Sequence, residues 1–267
     1  MDLGFAGSTA VVTGGSKGMG LAIAETLAAE GASVAVMARN RGALDAAVTS
    51  LREAGAPDAV GISVDMADAQ SIADGFAAVC KRWGQLNALV HTIGPGDGYF
   101  EQMDDTQWDA TFALGTMSAV RSIRASLPLL RSADWARIVT LSAHSIQRQN
   151  PRIVAYTASK AALASVTKNL SKSLAKDGIL VNCVCPGTIV TASFTEQLKD
   201  ILAADGLDAT DPRDVMTWID TNFHQPCDLG RAGLPEEVAS ITTYLASQRN
   251  GYVTGATVNV DGGSDFI

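Results

Sequence analysis

Positive charge is scarce in this chain. Its 267 residues carry 20 Lys and Arg against 28 Asp and Glu, a formal balance of −8. That balance argues against nucleic acid or an anionic membrane as the main partner, because neutralising rows of phosphates takes a basic face. Long apolar runs are missing too, and no stretch approaches the ~20 residues of a membrane span. The first seven residues, Met1-Asp2-Leu3-Gly4-Phe5-Ala6-Gly7, have neither a basic start nor an apolar core, so no export signal is expected. Cysteine is sparse. Cys80, Cys183, Cys185 and Cys227 lack zinc spacing, and they read as buried, reduced thiols of a cytoplasmic protein. Charged residues make up only 18% and apolar residues 47%, which excludes a disordered chain and a coiled coil. No linker, repeat or low-complexity segment interrupts residues 1–267, so one domain with a large core is expected.

What is present is an alternation. Short β-type runs at 9–13, 33–37, 59–64, 88–92, 137–142, 180–185 and 257–260 are separated, nearly everywhere, by helical stretches of 12 or more residues. Each run is apolar on both faces, as central strands of a parallel sheet require. Repeated βαβ units follow, and with them a doubly wound α/β domain. Residues 192–230 break the rhythm with two short amphipathic patterns, one around Leu198, Ile201 and Leu202, the other around Val215, Trp218, Ile219 and Phe223. They fall where the carboxyl edge of the sheet opens, so a substrate lid is expected there.

The first run ends in Thr13-Gly14-Gly15-Ser16-Lys17-Gly18-Met19-Gly20. A glycine-rich turn between strand and helix lets backbone N–H groups approach a pyrophosphate at the positive helix terminus. The end of the second strand selects the cofactor, since an acid there would bind ribose hydroxyls and repel a 2′-phosphate. This chain has Ala38-Arg39-Asn40 instead. Arg39 offers a planar fork to phosphate and Lys17 a point charge, so NADP is the expected cofactor.

Taken with further pieces, the chain resembles the short-chain dehydrogenase/reductase family over nearly its whole length. These pieces are Asp65 after the third strand, Tyr156-Thr157-Ala158-Ser159-Lys160 opening a helix, and Pro186-Gly187-Thr188-Ile189-Val190-Thr191 after the sixth strand. Gly230-Arg231-Ala232-Gly233-Leu234-Pro235-Glu236-Glu237, Tyr252-Val253-Thr254-Gly255 and Val260-Asp261-Gly262-Gly263 complete the match. The resemblance implies a single three-layer αβα Rossmann-type domain with a seven-stranded parallel sheet. It implies NADP contacts from Gly14, Ser16, Lys17, Gly18, Met19 and Gly20, from Arg39, Asn40, Asp65, Met66 and Gly94, and from Tyr156, Lys160, Pro186, Gly187, Ile189 and Thr191. It also implies a homo-oligomer, tetramer or dimer, through helices covering roughly 105–131 and 154–176. Leu163, Val166, Leu170 and Leu174 form an apolar stripe for such contact, although a stripe facing the sheet reads the same way.

Tyr156 and Lys160 are four residues apart and share a helix face. Hydride transfer to a carbonyl leaves an alkoxide that needs a proton, and a phenol of ordinary pKa near ~10 exchanges one at neutral pH only beside a cation. The family's catalytic set usually adds a serine thirteen residues before the tyrosine, and here that position is Ala143. Ser145 is favoured as the substitute hydroxyl, since strand alternation puts it on the side of residue 143 and points Ser142 away. His144 is a further candidate. Gly115 stands where the family has an asparagine that holds a relay water; a local kink or an extra water is expected there. His91-Thr92-Ile93-Gly94 replaces the family's Asn-Asn-Ala-Gly, which keeps the glycine and loses the polar anchors before it. Residues 95–100, Ser145, Phe194 and Trp218 are candidates for the substrate pocket.

Three functions compete. One is an NADP-dependent oxidoreductase acting on a small or medium carbonyl/alcohol pair, 3-oxoacyl-type or another ketone, with Tyr156, Lys160 and Ser145 as catalytic residues. A nucleotide-binding pseudoenzyme is the second, motivated by Ala143 and Gly115. The third is a reductase of activated C=C bonds, for which the serine matters less.

Overall fold

The computed structural model describes residues 2–95 and 98–264. Seven strands form one parallel sheet in the order β3-β2-β1-β4-β5-β6-β7. They are β1 (Thr9–Thr13), β2 (Ser33–Ala38), β3 (Ala59–Ser63), β4 (Ala88–His91), β5 (Ala136–Leu141), β6 (Ile179–Pro186) and β7 (Thr257–Val260). Each starts and ends within one residue of its sequence-based expectation, and the Rossmann-type three-layer α/β fold is the one expected.

Strand alternation builds the layers. Val12, Val34, Val36, Val90 and Val139 point to one side and pack with α1 (Gly18–Ala29), α2 (Arg41–Glu53) and α9 (Pro235–Leu245). Val11, Ala35, Met37, Leu89 and Ile138 point to the other, against α3 (Ala69–Trp83) and α5 (Ser118–Ser132). Successive residues of one strand thus enter opposite cores, which is why these runs are apolar on both faces. Fully burying one such side chain stabilises by about 1.5–3 kcal/mol.

α4 (Asp105–Phe112) runs into α5 through Ala113–Met117, a wider turn in which the Ser118 N–H donates to the Ala113 carbonyl, five residues back. Gly115, where a local kink or an extra water is expected, lies inside this wider turn. α6 (Val154–Ser173) covers β6. Its stripe faces inward: Leu163 and Leu174 are buried, and Leu170 packs against the second core, so the stripe gives no argument for assembly. Residues 192–223 form α7 (Ala192–Ala204) and α8 (Pro212–Phe223) over a small separate core of Leu202, Ala209, Val215 and Ala232. Cys183, Cys185 and Cys227 are buried free thiols, as expected, but Cys80 is exposed: it lies on the outer face of α3. No helix among the described residues is long and apolar enough to cross a membrane.

Candidate active site

The nucleotide end is set by backbone. Gly14 has a φ of 75°, and a Cβ there would lie 2.5 Å from Thr92 Oγ1. A Cβ on Gly20 would overlap the Gly14 carbonyl, so the start of α1 is pressed against the turn. The first turn of α1 has no acidic residue and no side-chain cap, which leaves its N–H groups turned toward a cleft of about 480 Å³. Gly14, Ser16, Lys17, Gly18, Met19, Gly20, Arg39, Asn40, Asp65, Met66, Gly94 and Thr191 all line that cleft. So does Ala38, where an acid would repel a phosphate. Neither Lys17 nor Arg39 is in an ion pair among the described residues. Asn40 has its amide oxygen on the Ala43 N–H, capping α2 at 2.8 Å, and so fixes the backbone beside Arg39.

Five expected contacts sit off the cleft lining, Tyr156 and Lys160 on α6 and three others. Pro186 closes β6 and its carbonyl accepts from His144 Nδ1 at 3.3 Å. Gly187 passes so close to β7's end that a Cβ would lie 2.8 Å from Asp261 Cα. Ile189 is buried in the first core and bridges to Gly233. Val64, Thr92, Ile93, Leu114 and Ser193 line the cleft without having been singled out as contacts. Val64 and Thr92 follow β3 and β4 directly, a signal available from the sequence; Leu114 offers none, because the wide turn alone brings it in.

At the other end Tyr156 stands in the first turn of α6, with its Cε2 4.0 Å from where a Gly94 Cβ would be. Lys160, one turn on, is almost completely buried and donates to the Ile93 carbonyl at 2.7 Å and the Leu141 carbonyl at 2.8 Å. Its Nζ lies 5.9 Å from the Tyr156 ring centroid. Burial pushes the ammonium down to about 8, partly offset by the Cys183 and Cys185 thiols behind it. Among the described residues two of its three N–H donors are used, and one remains.

Around Ala143 the chain departs from expectation. β5 ends at Leu141, and His144–Ile146 is a tight 3₁₀ turn, so strand alternation does not extend to residue 145. Ser145 is nevertheless buried beside α6, accepting from Thr157 Oγ1 at 3.2 Å. Its own proton is left to donate. Ser142 Oγ already donates to the Lys160 carbonyl at 2.8 Å. His144 Nδ1 donates to the Pro186 carbonyl, which can only accept, and so commits that edge of the ring to β6.

The loss of polar anchors expected at His91-Thr92 is corrected by the structure. His91 is fully buried between Thr13 Oγ1 at 2.8 Å and Ser118 Oγ at 3.0 Å, and Ser118 donates in turn to the Leu114 carbonyl. That carbonyl fixes the direction of the chain, so Nε2 carries the proton. Desolvation first, then the charge of Lys160, holds the imidazolium pKa down at about 3. Thr92 Oγ1 donates to the Thr13 carbonyl at 2.6 Å. His91 and Thr92 are thus themselves polar anchors.

Gly115 lies where α4–α5 crosses α6. A Cβ there would overlap the Ser159 hydroxyl and lie 2.8 Å from Ser159 Cβ, while Thr116 Oγ1 donates to the Ser159 carbonyl at 2.8 Å. Phe194 and Trp218 pack into the small core under α7 and α8. Tyr99, Phe100 and Pro151 line a shallow cavity of about 320 Å³. Gly96 and Asp97 of the same expected pocket lie outside the described residues.

Comparison with known proteins fits this geometry. A family model described as enoyl-(acyl carrier protein) reductase matches residues 14–265. A Caenorhabditis elegans protein named dehydrogenase/reductase SDR family member 4 is 32% identical over 261 residues, covering 97% of this chain and 95% of that one. The 3-oxoacyl-(acyl-carrier-protein) reductase FabG of Aquifex aeolicus is 28% identical over 98% of this chain and 99% of its own. The crystal structure of L-sorbose reductase from Gluconobacter frateurii, complexed with NADPH and L-sorbose, superposes with a TM-score of 0.92 at 30% identity over 100% of both chains.

Proposed function

The chain belongs to the short-chain dehydrogenase/reductase family of oxidoreductases, and from that premise we propose that it is an NADP-dependent reductase of a small-to-medium ketone, or the dehydrogenase of the matching alcohol. The observation that carries this reading is that Gly94 and Ile93, which line the cleft shared with the glycine turn, are the residues that Tyr156 and Lys160 meet, Tyr156 beside Gly94 and Lys160 on the Ile93 carbonyl. The cleft fits a dinucleotide: it offers N–H groups at a helix terminus for a pyrophosphate and, for a 2′-phosphate, Lys17 and Arg39, which form no ion pair among the described residues. Asp65 would take the adenine, the backbone at Ile189 the carboxamide, and the remaining Lys160 donor the ribose. When bound, NADPH supplies the hydride.

The protein's own groups handle charge and proton. Tyr156 gives its phenolic proton to the substrate oxygen as that oxygen gains negative charge, and the buried Lys160 ammonium favours the phenolate left behind. Ser145 donates to the same oxygen. Of the two hydroxyls near Ala143, Ser142 is committed to the Lys160 carbonyl, while Ser145 accepts from Thr157 and has its own proton uncommitted among the described residues. The substrate class is a small molecule with a carbonyl, 3-oxoacyl-type or another ketone; L-sorbose reductase and the FabG reductase bracket the range among the relatives. The protein would act in the cytoplasm, as a dimer or tetramer, and light scattering giving a mass near 27.7 kDa would contradict assembly.

Fluorescence titration with NADPH and NADH, followed by a carbonyl panel, tests the proposal. NADPH should bind at least ~10-fold tighter, since a charge-assisted phosphate contact is worth ~1.5–3 kcal/mol, and Arg39→Ala should erase most of that preference. Equal affinities would defeat the NADP reading. A protein that binds NADPH and turns over no carbonyl would be the pseudoenzyme. The missing serine at Ala143, with the name of the matching family model, keeps C=C reduction in view, and product analysis with an enone separates the two reactions.

A further inference from the structure

The loop between β5 and α6 carries Ser145 and runs into Tyr156, and one side chain ties it to the far end of the flap formed by α7 and α8. Arg148 Nη2 donates to the His224 carbonyl at 2.9 Å. Its Nη1 donates to the Ser264 carbonyl at 3.0 Å and the Pro226 carbonyl at 3.5 Å. His224 closes α8 with a φ of 52°, the one positive φ outside glycine among the described residues. A left-handed conformation at a residue with a side chain persists where its surroundings hold it, and here the held group is the carbonyl that meets Arg148. Four residues on, Arg152 lays its guanidinium 4.5 Å over the Phe223 ring, and Phe223 meets Trp218 edge-on at 5.4 Å in the flap.

We propose that Arg148 is a positioning residue that clamps the outer end of the flap to the loop leading into Tyr156, so that closure over the substrate and placement of Ser145 are set together. The proposal rests on the reading of Tyr156 and Ser145 as the reacting end. Arg148 suits the task because a planar guanidinium presents donors in several fixed directions, and so holds carbonyls of three separate backbone positions at once. A lysine is a point charge and cannot reproduce that fork. None of the clamp residues lines the nucleotide cleft, so its loss should be felt by the carbonyl substrate and not by the cofactor.

The test uses the full chain and two readouts, amide hydrogen exchange with NADPH bound and steady-state kinetics. In Arg148→Ala, exchange across residues 212–226 and 144–153 should speed up ~10–100-fold, while 18–29 in α1 stays protected. Carbonyl KM should rise and kcat fall, lowering kcat/KM by about 10–100-fold, as expected when reacting groups are misplaced by an ångström or less. NADPH affinity should hold. Arg148→Lys keeps the charge and should recover little of either effect, which separates the fork from mere positive charge. Wild-type exchange and kinetics in Arg148→Ala would overturn the clamp. So would a uniform loss of protection together with NADPH binding, which would make Arg148 a general structural residue. If the alanine variant does not fold, Arg148→Lys alone is decisive by the same exchange pattern. Exchange needs no turnover, so an enzyme that reduces no carbonyl would sink the reaction assigned above and still leave the clamp to be judged.

Discussion

At the nucleotide end of the cleft, the groups facing a ligand are mostly backbone: the glycine turn, the exposed first turn of α1 and the close approach of Gly20 to Gly14. At the carbonyl end they are side chains, and it is there that the chain departs from the pattern its resemblance implies, at Ala143, at Gly115 and in His91-Thr92-Ile93. The contrast has a physical origin. A backbone cradle has few ways to be built, because any Cβ at Gly14 or Gly20 collides with the chain itself. Hydroxyls and amides can instead be exchanged whenever a neighbour supplies an equivalent donor. On the proposed reading, Ser145 beside Thr157 is such an exchange, and His91 keeps a hydrogen-bonded place between Thr13 and Ser118.

The strongest test of that contrast removes the one carbonyl-end group with no stand-in. Tyr156→Phe should lower turnover by ~10²–10⁴-fold with NADPH affinity intact; a variant that keeps full activity would collapse the catalytic assignment. Next comes the substitute hydroxyl. Ser145→Ala should lower kcat ~10²–10³-fold, as removal of one oxyanion donor does, whereas Ser142→Ala should cost little activity. Steady-state kinetics of both variants would expose an error if the two effects were reversed. Ala143→Ser, which restores the usual residue, should leave the rate on simple ketones unchanged or raise it.

The same restoration should fail at Gly115. Gly115→Asn would put side-chain atoms into Ser159, and overpacking of this kind costs about 1–3 kcal/mol, readable as a lower Tm together with lower activity. An unchanged Tm would mean that α6 yields easily. The smallest expected effect is a slope. His91 is held neutral down to about 3 against an ordinary 6.5. The unfolded chain therefore takes up a proton that the folded chain refuses, and stability falls as pH drops from about 6.5 toward 3. His91 contributes at most about 1.4 kcal/mol per pH unit in that window, and urea midpoints of His91→Asn should show a shallower fall than the wild type. Parallel curves would contradict the buried neutral imidazole.

These differences also mark what was readable from residues alone. Val11 and Val12 announce two cores by adjacency, and Gly14 to Gly20 announce a phosphate turn by position, since both are local patterns with one physical solution. The periods around Leu198 and Val215 located α7 and α8 for the same reason. Strand alternation points to Ser145, but the 3₁₀ turn at His144 interrupts that alternation, so the burial of Ser145 has another cause. The partners of His91 lie 78 and 27 residues away, and Ser159 is 44 residues from Gly115, so neither arrangement has a local signature. Arg148 was invisible in the same way, its three carbonyl partners lying 76 or more positions along the chain.

The wide turn at Ala113–Met117 has an angular consequence. Each residue of an α-helix advances about 100°, so one extra residue in a turn sets the segment before it out of phase with the segment after it by that amount. Thr111 can therefore be buried on α4 while Ile123 and Leu130 on α5 point into the second core, along what is otherwise one rod. Deleting a single residue here would swing α4 by roughly a quarter turn about its own axis and carry Trp108 and Phe112 around with it. The register of the helix, more than the identity of any one side chain on it, decides which residues the chain presents to α6.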